Sequence, residues 1–380
     1  MTTLGPVVLP GVEGVHELQL RGDRIAGIRP GSEDEPQLAL PAFADLHLHA
    51  DRAFASGPRL PRSLADAAEL VLDVKSVSTE EAIRDRCLRL LSRALEHGTL
   101  RVRTHVDVDR LSDERALRGV LSARNEVSDR LDVQIVAFAT KLCDPTTDEG
   151  RGRLAAAVEA GADFVGGVPA FHPDPETSVA TLLRLARTLG VPADLHIDET
   201  TEGSVLLLER LADETLALGL EGRVAASHCS SLAAVARPAA RRTIEKVAAA
   251  GITVIVQPAL NLYLQDRGES TPRLRGLTLV RELVAADVPV RFGSDNIADV
   301  FYPYGDADPL ESAFLAALAA HVDDEEVLLA GICDGRSRIA TGDHADLVLL
   351  EASSVRDALA RRPSRRTVVR KGRVVAGITP

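Results

Sequence analysis

Eight short apolar runs, separated by segments of helical periodicity, constrain the fold of this chain more than any other feature. Short apolar runs bounded by turn residues are typical of buried strands, and strands that alternate with helices predict a parallel sheet. Eight such alternations predict an α/β fold of the (β/α)8 TIM-barrel type. A doubly wound open sheet is the main alternative, but no G-x-G-x-x-G motif follows an early strand. The predicted strands are residues 41–47, 101–107, 132–138, 163–168, 191–196, 223–228, 252–257 and 288–294.

The two ends of the chain have a different pattern from the middle. Both contain short β-like runs separated by glycine-rich breaks, with Lys371 and Gly372 as a predicted hairpin turn. We therefore expect residues 1–40 and 342–380 to form a small β-sandwich domain. Residues 41–341 would form the catalytic barrel.

Composition and charge exclude several classes of protein. The chain has 380 residues, of which 45% are hydrophobic, and its formal net charge of -12 argues against a nucleic-acid surface. It lacks an uninterrupted apolar stretch of about 18 residues and a leader-like N-terminus, so we expect neither membrane spanning nor secretion. The four cysteines are far apart and form no C-x-x-C pair, which fits a reducing cytoplasm. The sequence leaves a homo-oligomer open.

Histidine and aspartate side chains occur at the ends of five predicted strands, where the active site of such a barrel lies. The first strand ends in a His-x-His pair, whose two side chains share one face of a strand. Three imidazoles and one carboxylate leave one position open on a divalent metal, whose coordinated water reaches a pKa of about 7. The ligand candidates are His47, His49, His196 and Asp295.

Three further polar residues at strand ends have less certain roles in the sequence. Glu199 follows His196 by three residues, where it could transfer a proton without binding the metal. His228 could polarise a carbonyl or hold the attacking hydroxide, and the alternative is a core histidine bonded to a backbone carbonyl. For His105 we favour a structural role, because the other four ligands already complete a site.

Nine short blocks follow one another along nearly the whole chain, at residues 41–51, 102–108, 134–138, 165–169, 196–199, 226–228, 261–265, 292–295 and 302–305. In this order they resemble the amidohydrolase superfamily and, within it, the bacterial cytosine deaminase group. The resemblance implies a metal-dependent hydrolase of non-peptide C–N bonds with one divalent metal, Zn²⁺ or Fe²⁺. Its ligands would be His47, His49, His196 and Asp295.

The resemblance also implies roles in the reaction. Glu199 would protonate the ring nitrogen beside the attacked carbon, Asp295 would accept a proton from the attacking water, and His228 would orient the hydroxide. Some amidohydrolases bridge two metals with a carboxylated lysine at a strand end. The fourth predicted strand does not end in lysine, and Lys141 lies just past the third, so we expect a single metal.

Three departures from the cytosine deaminase pattern concern the substrate. After the third predicted strand, the sequence runs through Phe138 to Thr140. At this place the cytosine deaminase group has a glutamine that reads the pyrimidine edge. Asn296 replaces an aspartate after Asp295, and Ser294 replaces a histidine before it. A hydroxyl cannot reproduce the paired donor and acceptor of a primary amide. We expect Thr140, Asn296 and Phe138 to contact the substrate, and cytosine itself to be a poor one.

The favoured function is a metal-dependent aminohydrolase, or deaminase, that hydrolyses a C–N bond of a small nitrogen heterocycle such as an aminopyrimidine or aminotriazine and releases ammonia. The alternative is a metal-dependent amidase or N-alkyl amidohydrolase acting on a cyclic or substituted amide, and ammonia release separates the two. A barrel that binds a small ligand without turnover would need a broken metal set, whereas the set in this sequence is intact.

Overall fold

Strands alternate with helices through the middle of the chain, and strands predominate at both ends. The structure, a computed structural model, describes residues 2–57, 59–204, 206–267 and 274–377. The ends of the two predicted terminal segments, Met1 and 378–380, lie outside this range. The strands are β1 (Thr2–Leu9), β2 (Val12–Arg21), β3 (Arg24–Pro30), β4 (Gln37–Pro41), β5 (Phe43–Leu48), β6 (Thr99–Asp107), β7 (Asp132–Ala139), β8 (Phe164–Gly167), β9 (Ala193–Ile197), β10 (Val224–His228), β11 (Thr253–Val256), β12 (Val290–Phe292), β13 (Leu347–Leu350), β14 (Arg366–Arg370) and β15 (Arg373–Ala376).

Helices lie between most of these strands, together with short 3₁₀ helices at Pro169–Phe171 and Ser230–Ala233. The α-helices are α1 (Leu64–Val77), α2 (Glu80–Glu96), α3 (Asp113–Val127), α4 (Asp148–Glu159), α5 (Pro175–Leu189), α6 (Leu207–Leu218), α7 (Arg237–Ala249), α8 (Pro258–Leu264), α9 (Val280–Ala285), α10 (Pro309–Ala319), α11 (Glu325–Ile332) and α12 (Val355–Arg361). In the part of the chain that is described, no helix combines the length and apolarity needed to span a bilayer.

Strands β5 to β12 form one parallel eight-stranded sheet in chain order. A bridge joins Leu48, at the end of the first strand, to Asp295, three residues past the last strand, and the amide of Asp295 donates a hydrogen bond of 2.8 Å to the carbonyl oxygen of His47. The sheet therefore closes into a barrel, as the TIM-barrel prediction requires. The structure confirms each of the eight predicted strands, with ends that differ by no more than two residues.

Side-chain alternation along the strands places polar groups inside this barrel. In β9, Leu195 and Ile197 belong to the main apolar core, whereas Asp194 contacts the interior side chain of Arg103 on β6. His196 lies two residues after Asp194 and therefore on the same face of the strand. The strand sequence ADLHI thus supplies the core with one face and the site with the other.

The helix α1 is an addition between the first barrel strand and α2, and it covers part of the barrel mouth. Ser63 caps its first turn by accepting a hydrogen bond of 3.1 Å from the amide of Asp66. Its buried residues share an apolar cluster with α8 and with the loop after β12, through Leu70, Val71, Leu260 and Phe301. Because these neighbours follow the carboxyl ends of β11 and β12, α1 forms one wall above the strand ends.

The remaining strands form a separate seven-stranded sheet, in the order β15, β14, β13, β4, β1, β2, β3. The sheet curls so that the β2–β3 turn meets the β14–β15 turn, where a Cβ on Gly372 would clash with the carbonyl oxygen of Gly22 at 2.3 Å. The β2–β3 turn also contacts the segment before β13, where the amide of Ala345 donates to the carbonyl of Asp23. Gly372 has a φ of +75°, as the predicted turn requires. Both ends of the chain thus contribute to a separate β-sheet domain, which is one continuous sheet with an apolar core of its own.

Candidate metal centre and its cavity

The ends of β5, β9 and β12 bring four side chains together inside the barrel mouth. The Nε2 atoms of His49 and His196 are 3.2 Å apart. The carboxylate of Asp295 lies 3.3 Å from Nε2 of His49 and 3.6 Å from Nε2 of His47. All four residues are buried, and none is more than 6% exposed. The structure therefore brings the whole predicted ligand set to one point.

The donor atoms of this group fit a bound cation. Nε2 of His47 and both carboxylate oxygens of Asp295 are buried and have no hydrogen-bond partner among the described residues. Leaving such atoms unpaired costs about 1–3 kcal/mol each, so a group of them indicates a ligand. Imidazole nitrogen and carboxylate oxygen are common ligands of divalent zinc and iron. These side chains could hold one divalent metal.

Burial lowers the pKa of His47, His49 and His196 well below the usual value, and repulsion from His105, His228 and Arg52 lowers it further. The rings are therefore neutral at physiological pH, which is the form that binds a metal. Burial has the opposite effect on Asp295, whose pKa is raised, and the nearby carboxyl of Glu199 adds to this rise.

Two neighbouring histidines extend the cluster. Two groups of three residues have ligand atoms within 4.8 Å of one another: His47 with His105 and His196, and His47 with His228 and Asp295. Nε2 of His105 also lies 3.4 Å from the carboxylate of Asp194, deeper in the barrel. His105 can therefore help to hold Asp194 instead of a metal, and the structural role expected for it stays a prediction.

The backbone is strained at two of the site residues. His228 has a φ of 67° and Asp295 a φ of 66°, in the left-handed region that non-glycine residues rarely adopt. Such conformations cost on the order of 1–3 kcal/mol and persist where surrounding contacts hold them, commonly at functional sites. The His228 amide is held by the side-chain oxygen of Gln257 at 2.9 Å, and the Asp295 amide by the carbonyl of His47.

The hydrogen bonds of His228 determine which of its nitrogens is free. Its Nδ1 lies 3.2 Å from the side-chain oxygen of Asn261, which can only accept, so Nδ1 carries the proton. Burial lowers the pKa of His228 to about 3, so the ring is neutral. Its Nε2 is then an acceptor, and it lies 3.7 Å from carboxylate oxygens of both Glu199 and Asp295.

Glu199 lies beside this acceptor, just beyond the end of β9. Burial raises the pKa of its carboxyl to about 8, against an opposing effect of Arg52. The carboxylate of the preceding residue, Asp198, accepts the backbone amides of Leu207 and Leu208 at 2.9 and 3.0 Å, which ties the loop to the start of α6. Glu199 is thus a nearly buried carboxyl group on an anchored loop, and its raised pKa suits proton transfer near neutral pH.

A cavity of about 590 Å³, including its open mouth, lies above these groups. Its floor carries the polar residues of the cluster, and its apolar walls come from α1 and from loops that follow the strands. The apolar wall residues are Leu64, Ala68, Val71, Leu72, Phe138, Val168, Phe171, Leu260 and Phe301. A mostly apolar cavity with a few converging polar groups is the usual form of a small-molecule site.

The three residues predicted to contact the substrate all line this cavity. Phe138 packs on the ring of His196, with centroids 4.5 Å apart. The hydroxyl of Thr140 donates to the carboxylate of Asp109 at 2.7 Å, and the side-chain nitrogen of Asn296 donates to Asp299 at 2.6 Å. The proton of Thr140 is therefore already used within the protein, so its hydroxyl has little capacity to read a substrate edge.

Sequence reasoning missed a buried charge network in the cavity wall. Nζ of Lys75 lies 2.6 Å from Asp107 and 2.5 Å from Asp109, while the guanidinium of Arg52 lies 3.3 Å from Asp107 and 3.7 Å from Asp299. Two signals in the sequence were available: Arg52 follows the His-x-His pair by three residues, and Lys75 is one of only four lysines.

A closed barrel with histidines and an aspartate gathered at the carboxyl ends of its strands is an arrangement that suits a hydrolase and could hold a metal. Comparison with known sequences specifies this class further. Residues 63–376 match the model of the amidohydrolase family, and the chain belongs to this family.

The similarity to known proteins extends over nearly the whole chain. A pterin deaminase of Rhizobium rhizogenes (strain K84 / ATCC BAA-868) is 36% identical over 349 residues, which cover 88% of this chain and 80% of that protein. An N-isopropylammelide isopropyl amidohydrolase of Pseudomonas sp. (strain ADP) is 30% identical over 400 aligned positions, covering 96% and 94%. The crystal structure of 5-methylcytosine deaminase from Klebsiella pneumoniae, liganded with 5-fluorocytosine, has a TM-score of 0.91 and 29% identity, covering 100% of this chain and 98% of that one.

Proposed function

We propose that this protein is a metal-dependent aminohydrolase that replaces the amino group of a nitrogen heterocycle by oxygen and releases ammonia. The observation that carries the proposal is the convergence of His47, His49, His196 and Asp295 at the cavity floor, with Glu199 beside them. The similarity to a pterin deaminase makes pterin the first substrate to test. A single Zn²⁺ or Fe²⁺ is the proposed cofactor.

When bound, the cation supplies a water that is acidic enough to attack at neutral pH. The residues of this chain would then control the protons. Neither carboxylate oxygen of Asp295 has a hydrogen-bond partner among the described residues, so this group can accept a proton from the attacking water. His228 presents an acceptor nitrogen 3.7 Å from Asp295, which suits it to orient that water.

Glu199 would complete the reaction as the proton donor. Its carboxyl holds a proton near neutral pH and can give it to the ring nitrogen beside the attacked carbon. The carbon then bears both a hydroxyl group and the amino group. The proton that Asp295 took from the water passes to the amino group, the C–N bond breaks with ammonia as the leaving group, and the hydroxyl proton returns to Glu199 as the ring carbonyl forms. Positioned proton transfer of this kind contributes typically 10²- to 10⁴-fold to the rate.

The proposal is tested by loading the protein with Zn²⁺ or Fe²⁺ and measuring ammonia released from pterin, cytosine and an aminotriazine. We expect ammonia from at least one of them, with cytosine a poor substrate, and a large loss of turnover in Glu199→Gln. The Lys141→Met variant is a control, since Lys141 pairs with Glu69 at the cavity rim. If the loaded protein released no ammonia from any of these compounds, the deaminase assignment would be wrong.

A second candidate is the removal of an N-alkyl group, as the name of the 30% identical relative describes for that enzyme. The apolar wall from α1, with Leu64, Ala68 and Val71, offers space for an alkyl substituent. The two candidates differ in the amine released. Isopropylamine from an N-isopropyl triazine, without ammonia from any aminoheterocycle, would favour this second function.

A further inference from the structure

Arg52 is a buried cation whose hydrogen-bonding capacity is not fully used by the protein. The residue lines the cavity, and its side chain is only 10% exposed. One terminal nitrogen, Nη1, donates to the carboxylate of Asp107 at 3.3 Å. Among the residues that the structure describes, the other terminal nitrogen, Nη2, has no hydrogen-bond partner, and the buried Nε has only the carboxylate of Asp299 at 3.7 Å, beyond hydrogen-bond distance.

The guanidinium is held in place from three sides. Asp107 lies on one side, the carboxylate of Asp299 lies 3.7 Å from Nε on another, and the ring of Phe301 lies below, with its centroid 5.0 Å from Cζ. Asp299 is itself fixed by the side-chain nitrogen of Asn296 and by the amides of Phe301 and Tyr302. The position of Arg52 is thus determined before any ligand arrives.

Buried donors of a charged group that stay unpaired are costly, and a hydrogen bond to a charged group contributes more than one between neutral groups. The ligand that fills this cavity should therefore present an acceptor to Arg52. An amino group on a heterocycle donates, because its lone pair is delocalised into the ring, whereas a ring carbonyl oxygen accepts. The chemistry of Arg52 distinguishes between these two substituents.

The surrounding charges exclude a strongly anionic ligand. Two cations, Arg52 and Lys75, are in contact with three buried carboxylates, those of Asp107, Asp109 and Asp299. A phosphate or a carboxylate would add negative charge to a region in which carboxylates already outnumber cations. No free cation among the described residues would then offset the cost of removing that anion from water. A neutral carbonyl oxygen adds an acceptor without adding a charge.

We propose that Arg52 is a specificity-determining residue that binds a carbonyl oxygen on the heterocycle, so that the substrate is an amino-oxo ring and not a ring that carries only amino groups. This inference rests on the proposed deaminase function and names the substrate class of the same site. Sites built to hydrogen-bond a polar group reject analogues without it more strongly than apolar pockets reject a missing methylene.

The test compares three bicyclic compounds that differ at one ring position: pterin with a carbonyl oxygen, 2-aminopteridine with hydrogen and 2,4-diaminopteridine with an amino group. We expect kcat/KM for pterin to exceed the values for the other two by about 10²-fold or more. In Arg52→Met the value for pterin should fall by a similar factor, so that the preference falls below about tenfold. Lys141→Met removes a cation at the rim of the same cavity and should leave the preference unchanged.

Binding measured by pteridine fluorescence gives a second readout that needs no turnover. It also shows that Arg52→Met is folded, since all three compounds should still bind this variant weakly.

If the wild-type protein deaminates 2-aminopteridine as well as pterin, Arg52 does not read an oxygen, although the deaminase function stands. If no ammonia is released but pterin binds at least tenfold more tightly than 2-aminopteridine only when Arg52 is present, the recognition is right and the proposed reaction is wrong. Equal binding of the three compounds would overturn the inference. If Arg52→Met does not fold, the wild-type preference alone decides the substrate class.

Discussion

Ser227 should control how tightly the protein holds its metal, although it is not a ligand. Nδ1 of His47 lies 2.8 Å from the hydroxyl of Ser227, and that hydroxyl donates to the carboxylate of Asp194 at 3.2 Å. Asp194 is in turn held by Arg103 at 2.8 Å. Because Ser227 gives its proton to Asp194, it accepts the proton of His47, which leaves Nε2 of His47 free for a metal. This chain fixes both the tautomer and the orientation of the ring.

The size of the effect follows from what Ser227→Ala removes. The variant leaves the Nδ1–H of His47 without an acceptor and deprives Asp194 of one of its donors. Loss of such an outer partner typically weakens metal binding by 10- to 100-fold, which corresponds to about 1.4 to 2.7 kcal/mol. The same unpaired groups should reduce the free energy of unfolding by about 1–3 kcal/mol.

The dissociation constant for Zn²⁺ can be measured by competition with a chromophoric chelator. Ser178 provides a matched control, because its buried hydroxyl makes the same 2.8 Å contact with Nδ1 of a histidine, His172, which is not part of the metal cluster. Ser178→Ala should lose similar stability and keep its metal affinity. A Zn²⁺ affinity of Ser227→Ala within threefold of the wild type would refute the positioning role.

Three other predictions concern the proton donor, the buried network and the metal. Glu199→Gln should keep its metal and lose 10²- to 10⁴-fold in kcat, measured by ammonia release, because an amide cannot donate the proton. Lys75→Met should lower the free energy of unfolding by about 3–5 kcal/mol in denaturant titrations, since it leaves the carboxylates of Asp107 and Asp109 buried without their shared cation. Elemental analysis should find one metal per chain, and its removal by a chelator should abolish turnover and lower Tm.

The buried network also predicts a pH dependence. Burial by itself raises the pKa of Asp109, but the charge of Lys75 outweighs this effect and holds the pKa at about 2, below the ordinary 3.8. Because the folded-state pKa is depressed, this contact contributes its full stability above about pH 4 and loses it as the pH falls towards 2. Acid unfolding followed by circular dichroism should show this loss in the wild type and a smaller one in Lys75→Met.

A different result would contradict each of the predictions for Glu199, Lys75, the metal and Asp109. Retention of more than about a tenth of kcat in Glu199→Gln would show that another group donates the proton. Lys75→Met with wild-type stability at neutral pH would mean that the two carboxylates find other partners or water. Two metals per chain at full occupancy would contradict the mononuclear site. An acid transition that is identical in wild type and Lys75→Met would show that Asp109 does not couple to Lys75.

The order of the elements and the convergence of the candidate ligands could be predicted from the sequence because both depend on local pattern. Apolar runs of strand length mark β5 to β12, and the barrel topology brings all of their carboxyl ends to one face. A histidine at the end of β9 and an aspartate after β12 are therefore neighbours, although about a hundred residues separate His196 from Asp295. No knowledge of individual contacts is needed for that step, because topology alone converts positions in the chain into proximity.

Only the tertiary structure decided how the remaining polar residues are shared between the protein and its ligand. Thr140 occupies the position predicted to read the substrate, yet its proton goes to Asp109, which also pairs with Lys75 of α1. Likewise, Arg52 is held by Asp107 at the end of β6 and by Asp299 in the loop after β12, which leaves part of its guanidinium free. Such pairings depend on the stagger of neighbouring strands and on the path of the loops between them. Side chains that are far apart in the chain can form alternative hydrogen bonds and ion pairs with the same few partners. The sequence alone does not show which of these pairs form.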